Sequence, residues 1–410
     1  MYKKLINEML KIIEEKHLDM YFNITKEELN KYVEEVLNKY ELNDKYDFYY
    51  VGNVIIKKIF GIYDSHTKIV FKKIKGRLPI RLKYIDNKLY IIRTDKNNED
   101  LLYSEILKIN NVEVSKLIEE IKDMTAYSTE EYLTVPIEAV LCTLDKLKSL
   151  PSINNNSEKF EFEVLKDNQI IKRGLKEQEE SLLKLNMPKD NYSYEVIDDK
   201  IYIVYNSCRE DHEGQMQEFV DTIKKESELN NISKYIIDIR GNLGGNSEII
   251  NPLIDYLDGK EVVTLIDEYV FSSGSFAVYD LKNIGSKFIG TGIGSSMNHF
   301  GNVSRNELDE FLIPISYKYF YFDKDCNKDS FYYSIKKEEL SERNLEDGTY
   351  IPFEEMKKNK EFFIPQIFEP DYYVYKTIED YKNNIDPCLD KAISLFDEKV
   401  IKWNMKLMNI

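Results

Sequence analysis

No two cysteines in this chain stand close enough to form a metal knuckle. The four present, Cys142, Cys208, Cys326 and Cys388, lie far apart with no CxxC spacing. This argues against a zinc site or a disulfide framework and reads as reduced structural thiols. Long apolar runs are missing too, since none reaches the roughly 18 residues that a membrane-spanning helix needs. The opening MYKKLINEMLKIIEEKH is amphipathic and charged throughout, without the apolar core and small-residue cleavage site of a secretory leader. These absences predict a cytoplasmic chain with no membrane span. A basic balance is also missing: Asp and Glu outnumber Lys and Arg by 73 to 57, and the formal net charge of -16 argues against nucleic acid or an anionic membrane as the main partner. What is present is a globular composition, 42% apolar and 32% charged. At 410 residues the chain exceeds one ordinary core, and at roughly 150 residues per domain it predicts two or three domains.

The most informative stretch is Lys234 to Asn246, KYIIDIRGNLGGN. Tyr235, Ile236, Ile237 and Ile239 make a nearly continuous apolar run of the kind that forms a buried strand, and Gly241, Asn242, Gly244 and Gly245 then end it. Ile249, Ile250, Leu253, Ile254 and Leu257 follow at helical spacing, so Asn246 or Ser247 is placed to cap a helix directly after the turn. Glycines there permit positive φ and close backbone approach, and amides at a helix start suit a developing negative charge. By itself the pattern also fits a tight β-to-α connection without chemistry.

Upstream, residues 1 to 60 read as a helical region. Leu5, Met9, Ile12 and Ile13 form one stripe, and Thr25-Lys-Glu-Glu28 is a capping box opening a helix through Tyr32, Val33 and Val36. His17, among Glu14, Glu15 and Lys16, reads as a solvated surface histidine. Residues 61 to 80 carry the loop with Asp64, Ser65, His66 and Thr67, which puts an imidazole beside local hydrogen-bond partners able to hold it in one tautomer, as a general base requires. The same loop also fits a turn in which Asp64 or Ser65 caps and His66 faces solvent. From 81 to 175 the pattern is of short strands with one or two helices. Ile106 and Ile109, an Asn-Asn turn, then Val112, Val114, Leu117 and Ile118 lead into a helix, and FEFEVLKDNQIIKRG reads as a hairpin turning at Asp167 and Asn168. Pro151 to Glu158 is a polar loop within this region.

Gly174 to Tyr194 reads as a polar linker, and 176 to 410 as the main core. Strand Ile201 to Tyr205, a helix from Gln217 and the strand at Tyr235 imply parallel pairing with a right-handed crossover. Val262 to Ile266, Lys287 to Ile289 and Phe311 to Phe322 read as further strands, and His212 in CREDHEG as solvent-facing. Ser272 stands between a strand and the helical pattern of Phe276, Ala277, Tyr279 and Leu281. Nucleophilic serines are often placed so, because flanking amides and the helix dipole stabilise an oxyanion. Helix caps share that placement, for Ser272 and Ser273 alike.

DSHTKI at 64 to 69, the strand-turn-helix segment, IIDIRGNLGGN at 236 to 246, FSSGS at 271 to 275, FIGTGIG at 288 to 294, LIPIS at 312 to 316, then FEPDYYV and DPCLDKAISLF occur in one order. In that succession the chain resembles the C-terminal-processing, or tail-specific, serine peptidases and their tricorn relatives. The resemblance implies an α/β fold with a crotonase-like (ClpP/crotonase-type) core on a twisted, mostly parallel sheet, a helical N-terminal region and an inserted PDZ-like module at 81 to 175. Such a module binds an extended peptide by strand addition; here the acidic NNEDLL stands where its glycine-rich loop would be. Ser272 is then implied as nucleophile, with the amides of Gly244 and Ser273 as oxyanion hole and Gly245 keeping the turn open. One branch of the family takes its base from a lysine in the threonine-glycine turn after the nucleophile, where this chain has Ser296 or Met297. The tricorn-like branch uses a histidine preceded by serine, and Ser65-His66 reproduces that pair, so the resemblance is closer to this branch, with His66 as base and Ser65 as its orienting neighbour. Ser275 stands at an often acidic place, Glu361 is the candidate acid beside the histidine, and His299 is a competing histidine, structural or at the substrate edge. The implied activity is hydrolysis of peptides or unfolded proteins through an acyl-enzyme, without metal or organic cofactor, by a chain that is a monomer or a homo-oligomer. A peptide-binding relative without catalysis and a hydrolase of small esters or amides stand as alternatives.

Overall fold

The computed structural model describes residues 1–74, 76–177, 190–342 and 345–408, with side chains described up to 397. The chain divides into two compact units. One comprises Met1–Leu185, Asn298–Tyr321 and Phe331–Pro365, the other Asn186–Met297, Phe322–Ser330 and Gln366–Ile410.

The first unit opens with three helices, α1 (Tyr2–Lys16), α2 (Lys26–Lys39) and α3 (Lys45–Phe60). The capping box at α2 is present: Thr25 Oγ1 accepts from Glu28 N at 3.2 Å, and the Glu28 carboxylate accepts from Thr25 N at 2.9 Å. Asp44 caps α3 through the amides of Tyr46 and Asp47, and α3 is apolar on nearly every face, from Phe48 to Phe60, so it becomes the buried helix of the group. Beyond it, β1 (Val70–Phe71) leads into an antiparallel sheet of β2 (Ile80–Ile85), β3 (Lys88–Thr94), β4 (Glu105–Ile109), β6 (Lys159–Lys166) and β7 (Gln169–Lys176), in that spatial order, with β5 (Val112–Glu113) beside β4. Between β5 and β6 lie α4 (Val114–Asp123), α5 (Thr134–Cys142) and the short α6 (Leu144–Leu147). The hairpin expected at Asp167 and Asn168 is there, with both residues in the left-handed region that a two-residue turn requires. Of the expected linker Gly174 to Tyr194, positions 178 to 189 lie outside the described residues.

The second unit is organised on a mixed sheet. It contains β8 (Tyr192–Ile197), β9 (Lys200–Tyr205), β10 (Lys234–Asp238), β11 (Glu261–Ile266) and β12 (Lys287–Gly290), with the two-residue strand Tyr372–Tyr373 beyond β12. From β9 through β12 and the Tyr372–Tyr373 strand every pairing is parallel; only the edge strand β8 is antiparallel. Parallel neighbours need long crossovers. The chain supplies α7 (Gln215–Asn230) between β9 and β10, α8 (Asn251–Leu257) between β10 and β11, and α9 (Ser273–Asn283) between β11 and β12. Ile236, Ile237, Leu265 and Ile289 are fully buried, as expected for strands covered on both faces.

The first unit recovers the chain at β13 (His299–Leu308) and β14 (Phe311–Tyr321), a hairpin turning at Asp309, to which β1 and β15 (Tyr332–Ile335) add. This sheet carries His299 and Ser316 to the loop after α3.

Candidate active site

In the second unit, the strand β10 ends in the glycine turn and Asn242 fixes its shape. Its buried side chain donates from Nδ2 to the Tyr205 carbonyl at 3.0 Å and accepts the Gly244 amide on Oδ1 at 2.9 Å. Gly244 has φ of 95°, and a Cβ there would lie 2.8 Å from the Phe271 carbonyl oxygen and from Ser273 N, and 2.9 Å from Ser272 Cβ. Glycine is therefore what lets the turn lie against the serine. At Gly245, with φ of 152°, a Cβ would fall 2.1 Å from the Cys208 carbonyl oxygen. Asn246 then accepts from Glu248 N, which starts the helical turn as the sequence predicts. Arg240 braces the base of the turn, its guanidinium bonded to Asp238 at 2.6 Å and Asp386 at 2.7 Å.

Ser272 lies after β11 at the N-terminus of α9, with φ of 57° and ψ of -124°. A non-glycine residue in that region carries strain of roughly 1–3 kcal/mol, and sharp strand-to-helix turns of this kind are where hydrolase nucleophiles sit. The strain is held by bonds on either side: Phe271 N donates to the Asn242 carbonyl at 3.0 Å, and Ser275 N to the Ser272 carbonyl at 2.8 Å. The Ser272 hydroxyl makes no capping bond, and Ser273 Oγ instead donates to the Gly245 carbonyl at 2.9 Å, tying the two turns together. The alternative in which these serines merely cap the helix is therefore not met. Among the described residues the amides of Gly245 and Ser273 have no protein acceptor, whereas the Gly244 amide is taken by Asn242. The positive end of α9 falls on the same spot.

Two other expected positions are uncharged and buried. Ser275 Oγ and Ser295 Oγ share a hydrogen bond of 2.6 Å. Ser296 Oγ donates to the Gln366 carbonyl at 3.1 Å and accepts Gln366 N at 2.8 Å, with Met297 fully buried beside it.

In the first unit, the loop after α3 is gathered around Asp64, a carboxylate with 0% exposure. Its Oδ1 accepts from His66 N at 2.8 Å, Thr67 N at 3.1 Å and Ser316 Oγ at 3.1 Å; its Oδ2 accepts from Thr67 Oγ1 at 2.5 Å and from His17 Nε2 at 3.2 Å. His17 is thus not the solvated residue that its charged neighbours suggest. It is the C-cap of α1, where the backbone turns extended and swings the ring inward, leaving it 1% exposed between Phe60 and Phe300 at centroid distances of 4.4 and 4.9 Å. Its Nδ1 accepts the Asp19 amide at 3.1 Å, which leaves the proton on Nε2 for Asp64. Burial alone would raise the Asp64 carboxyl, but the hydrogen bond from His17, with the neighbouring His66 and the hydroxyl of Thr67, holds it down at about 2.

His66 is 8% exposed, so the solvent-facing reading of its loop does not hold. Its ring lies nearly parallel to that of His299, 14° apart with centroids at 5.5 Å, and its Nδ1 is 4.0 Å from Asp64 Oδ1. Burial, then the neighbouring His299, lower its pKa to about 3 against the opposing pull of Asp64, so the imidazole is a neutral acceptor throughout the physiological range. Ser65 is buried, and its carbonyl accepts from Lys68 Nζ at 3.3 Å. Glu361 lies exposed on the short turn Lys360–Phe363; the carboxylate beside His66 is that of Asp64. His212 is exposed and bonded to Glu218, as expected. His17 and Ser316 were not legible as partners of this loop, because neither lies near it in sequence. Among the described residues no group of three or more His, Cys, Asp or Glu is arranged to hold a metal ion, and no helix is long and apolar enough to cross a membrane.

Neither a family model nor a curated protein sequence matches the chain. Solved structures do. The structure of mature CPAF aligns with TM-score 0.60 at 11% identity over 100% of this chain and 98% of that one, and mature CPAF complexed with lactacystin aligns with TM-score 0.57 at 11% identity over 100% and 99%. A weaker likeness, TM-score 0.42 at 10% identity over 91% and 93%, is to a photosystem II D1 C-terminal processing protease. The fold is thus that of mature CPAF, a mixed α/β architecture of helices and several sheets.

Proposed function

We propose that this chain is a serine peptidase of the C-terminal-processing kind, acting on peptides or unfolded proteins. The resemblance in motif order and the likeness in fold to mature CPAF both support it, and in this reading the second unit's sheet is a crotonase-like core and the sheet at 81 to 175 a PDZ-like insert. The observation that carries the proposal is the backbone at Ser272: a strained serine at a helix start, held against a glycine turn, with unpaired amides beside it.

The chemistry follows from those groups. Ser272 Oγ forms a bond to the scissile carbonyl carbon while His66 takes the hydroxyl proton, and the carbonyl oxygen becomes an oxyanion. We assign the oxyanion hole to the amides of Gly245 and Ser273, because Asn242 holds that of Gly244; Gly244 provides the close approach. Collapse of the oxyanion breaks the C–N bond, and His66 returns the proton to the leaving amine. Water, deprotonated by His66, then attacks the acyl-enzyme and releases the carboxylic acid, restoring the Ser272 hydroxyl. The mechanism calls for no metal or organic cofactor.

The test is intact-mass analysis after treatment with a fluorophosphonate, in which Ser272 Oγ would displace fluoride from phosphorus. One adduct on the wild type that is absent from Ser272→Ala and slow to form on His66→Ala is the expected result. An unlabelled, folded wild type would overturn the reading in favour of a peptide-binding protein. Labelling without cleavage of any peptide or unfolded protein would move it to a hydrolase of small esters or amides.

A further inference from the structure

We propose that His17 is a positioning residue for His66, acting through Asp64; the inference rests on the assignment of His66 as base. A fully buried carboxylate keeps its charge only if its lone pairs are filled, and the geometry of the donors then fixes the plane of the group. Asp64 Oδ1 takes its donors from its own loop and from Ser316 on β14. Oδ2 takes one from Thr67, in the same loop, and one from His17, at the end of α1 and 47 residues away in sequence.

His17 is itself held on all sides. Its second nitrogen is bonded to the Asp19 amide, its ring packs between Phe60 and Phe300, its carbonyl accepts from Lys336 Nζ at 2.9 Å, and the next amide, Leu18 N, donates to the Ser316 carbonyl at 3.2 Å. A ring so fixed sets where Oδ2 can lie, and with it where Oδ1 meets the His66 amide and faces the His66 ring. Without that donor Oδ2 keeps Thr67 alone, the carboxylate is free to turn, and its buried charge becomes harder to maintain. The groups facing Asp64 are His17 from α1, His66 and Thr67 from its own loop, and Ser316 from β14; His66 is faced in addition by His299 from β13 and by Lys68.

The experiment uses the full chain as wild type, His17→Phe and His17→Gln. Phenylalanine fills the aromatic slot without a donor, whereas glutamine can place an amide donor where Nε2 was. Fluorophosphonate labelling rates are measured from about pH 2 to about pH 8, so that the acid limb lies inside the range, with melting temperatures and the ring nitrogen resonances of His66 by NMR. In His17→Phe the rate should fall roughly 10- to 100-fold, the scale of a misplacement near 1 Å. Its acid limb should move to higher pH as Asp64 takes up a proton sooner, and the His66 resonances should shift; His17→Gln should recover most of the rate. A His17→Phe enzyme with the wild-type rate and limb would overturn the proposal. So would equal slowing in both variants with an unmoved limb, which would mark a role in packing only. If His17→Phe does not fold, His17→Gln decides: labelling near the wild-type rate supports the proposal, and a folded protein slowed by roughly tenfold or more with an unmoved limb refutes it. If the wild type is not labelled at all, the peptidase reading fails, and the His66 resonances of the variants still report whether His17 positions that ring.

Discussion

Acid should destabilise the protein through His66 well before it does so through Asp64. In the folded protein the imidazole of His66 takes a proton only at about 3, whereas in an unfolded chain a histidine does so near roughly 6.5. Between those values the unfolded chain binds a proton that the folded chain refuses. The contribution is therefore complete above the unfolded value and is lost as pH falls through it toward the folded one. At about pH 4.5 the interval is about two pH units, and at about 1.4 kcal/mol per unit the loss attributable to His66 is about 3 kcal/mol. Asp64 works at lower pH: its carboxyl, at about 2 when folded against roughly 3.9 when unfolded, gives stability that is lost only below about pH 4. The assay is urea unfolding of wild type and His66→Gln at about pH 7.5 and about pH 4.5, each protein compared with itself so that the other titrating groups cancel in the difference. The wild type should lose about 3 kcal/mol more than the variant. Parallel losses would mean that His66 titrates alike in both states and would refute the buried neutral imidazole.

Two substitutions test the turns. Ser272→Gly should raise stability relative to Ser272→Ala by about 1 kcal/mol, because glycine accepts the positive φ of that position without strain while neither variant can be labelled; melting the two side by side checks this. Gly244→Ala forces a Cβ to within 2.8–2.9 Å of backbone and Ser272 atoms, and should slow fluorophosphonate labelling by roughly 100-fold or more as the serine turn is displaced. A Gly244→Ala enzyme labelled at the wild-type rate would show that the turn does not set the nucleophile.

Local chemistry explains what could be read in advance. The apolar run at Tyr235–Ile239, the capping box at Thr25 and Glu28, and the Asp-Asn hairpin all specify their own geometry within a few residues, and each is found as expected. So is the alternation of strand and helix that makes β9 through β12 parallel. Two things could not be read that way. His17 follows a run of charged residues, yet its environment is decided by the extended backbone of one cap and by aromatic residues, Phe60 and Phe300, far along the chain. The glycine turn announced close approach without saying which amide would stay open; that depends on how Asn242, inside the turn, directs its side chain. Motif order leaves the acidic partner of His66 open, with Glu361 one candidate; a carboxylate beside that ring comes from two residues before it, Asp64.

The bond from Ser316 to Asp64 spans 252 residues. On a ribosome adding roughly 5–20 residues per second, the loop carrying His66 waits on the order of 13–50 s for β14 to be made. The glycine turn and Ser272 are both synthesised within that interval, and their mutual contacts need nothing that comes later than residue 275. During synthesis the bonds between the glycine turn and the Ser272 turn can therefore form while Asp64 still lacks Ser316 and Arg240 still lacks Asp386.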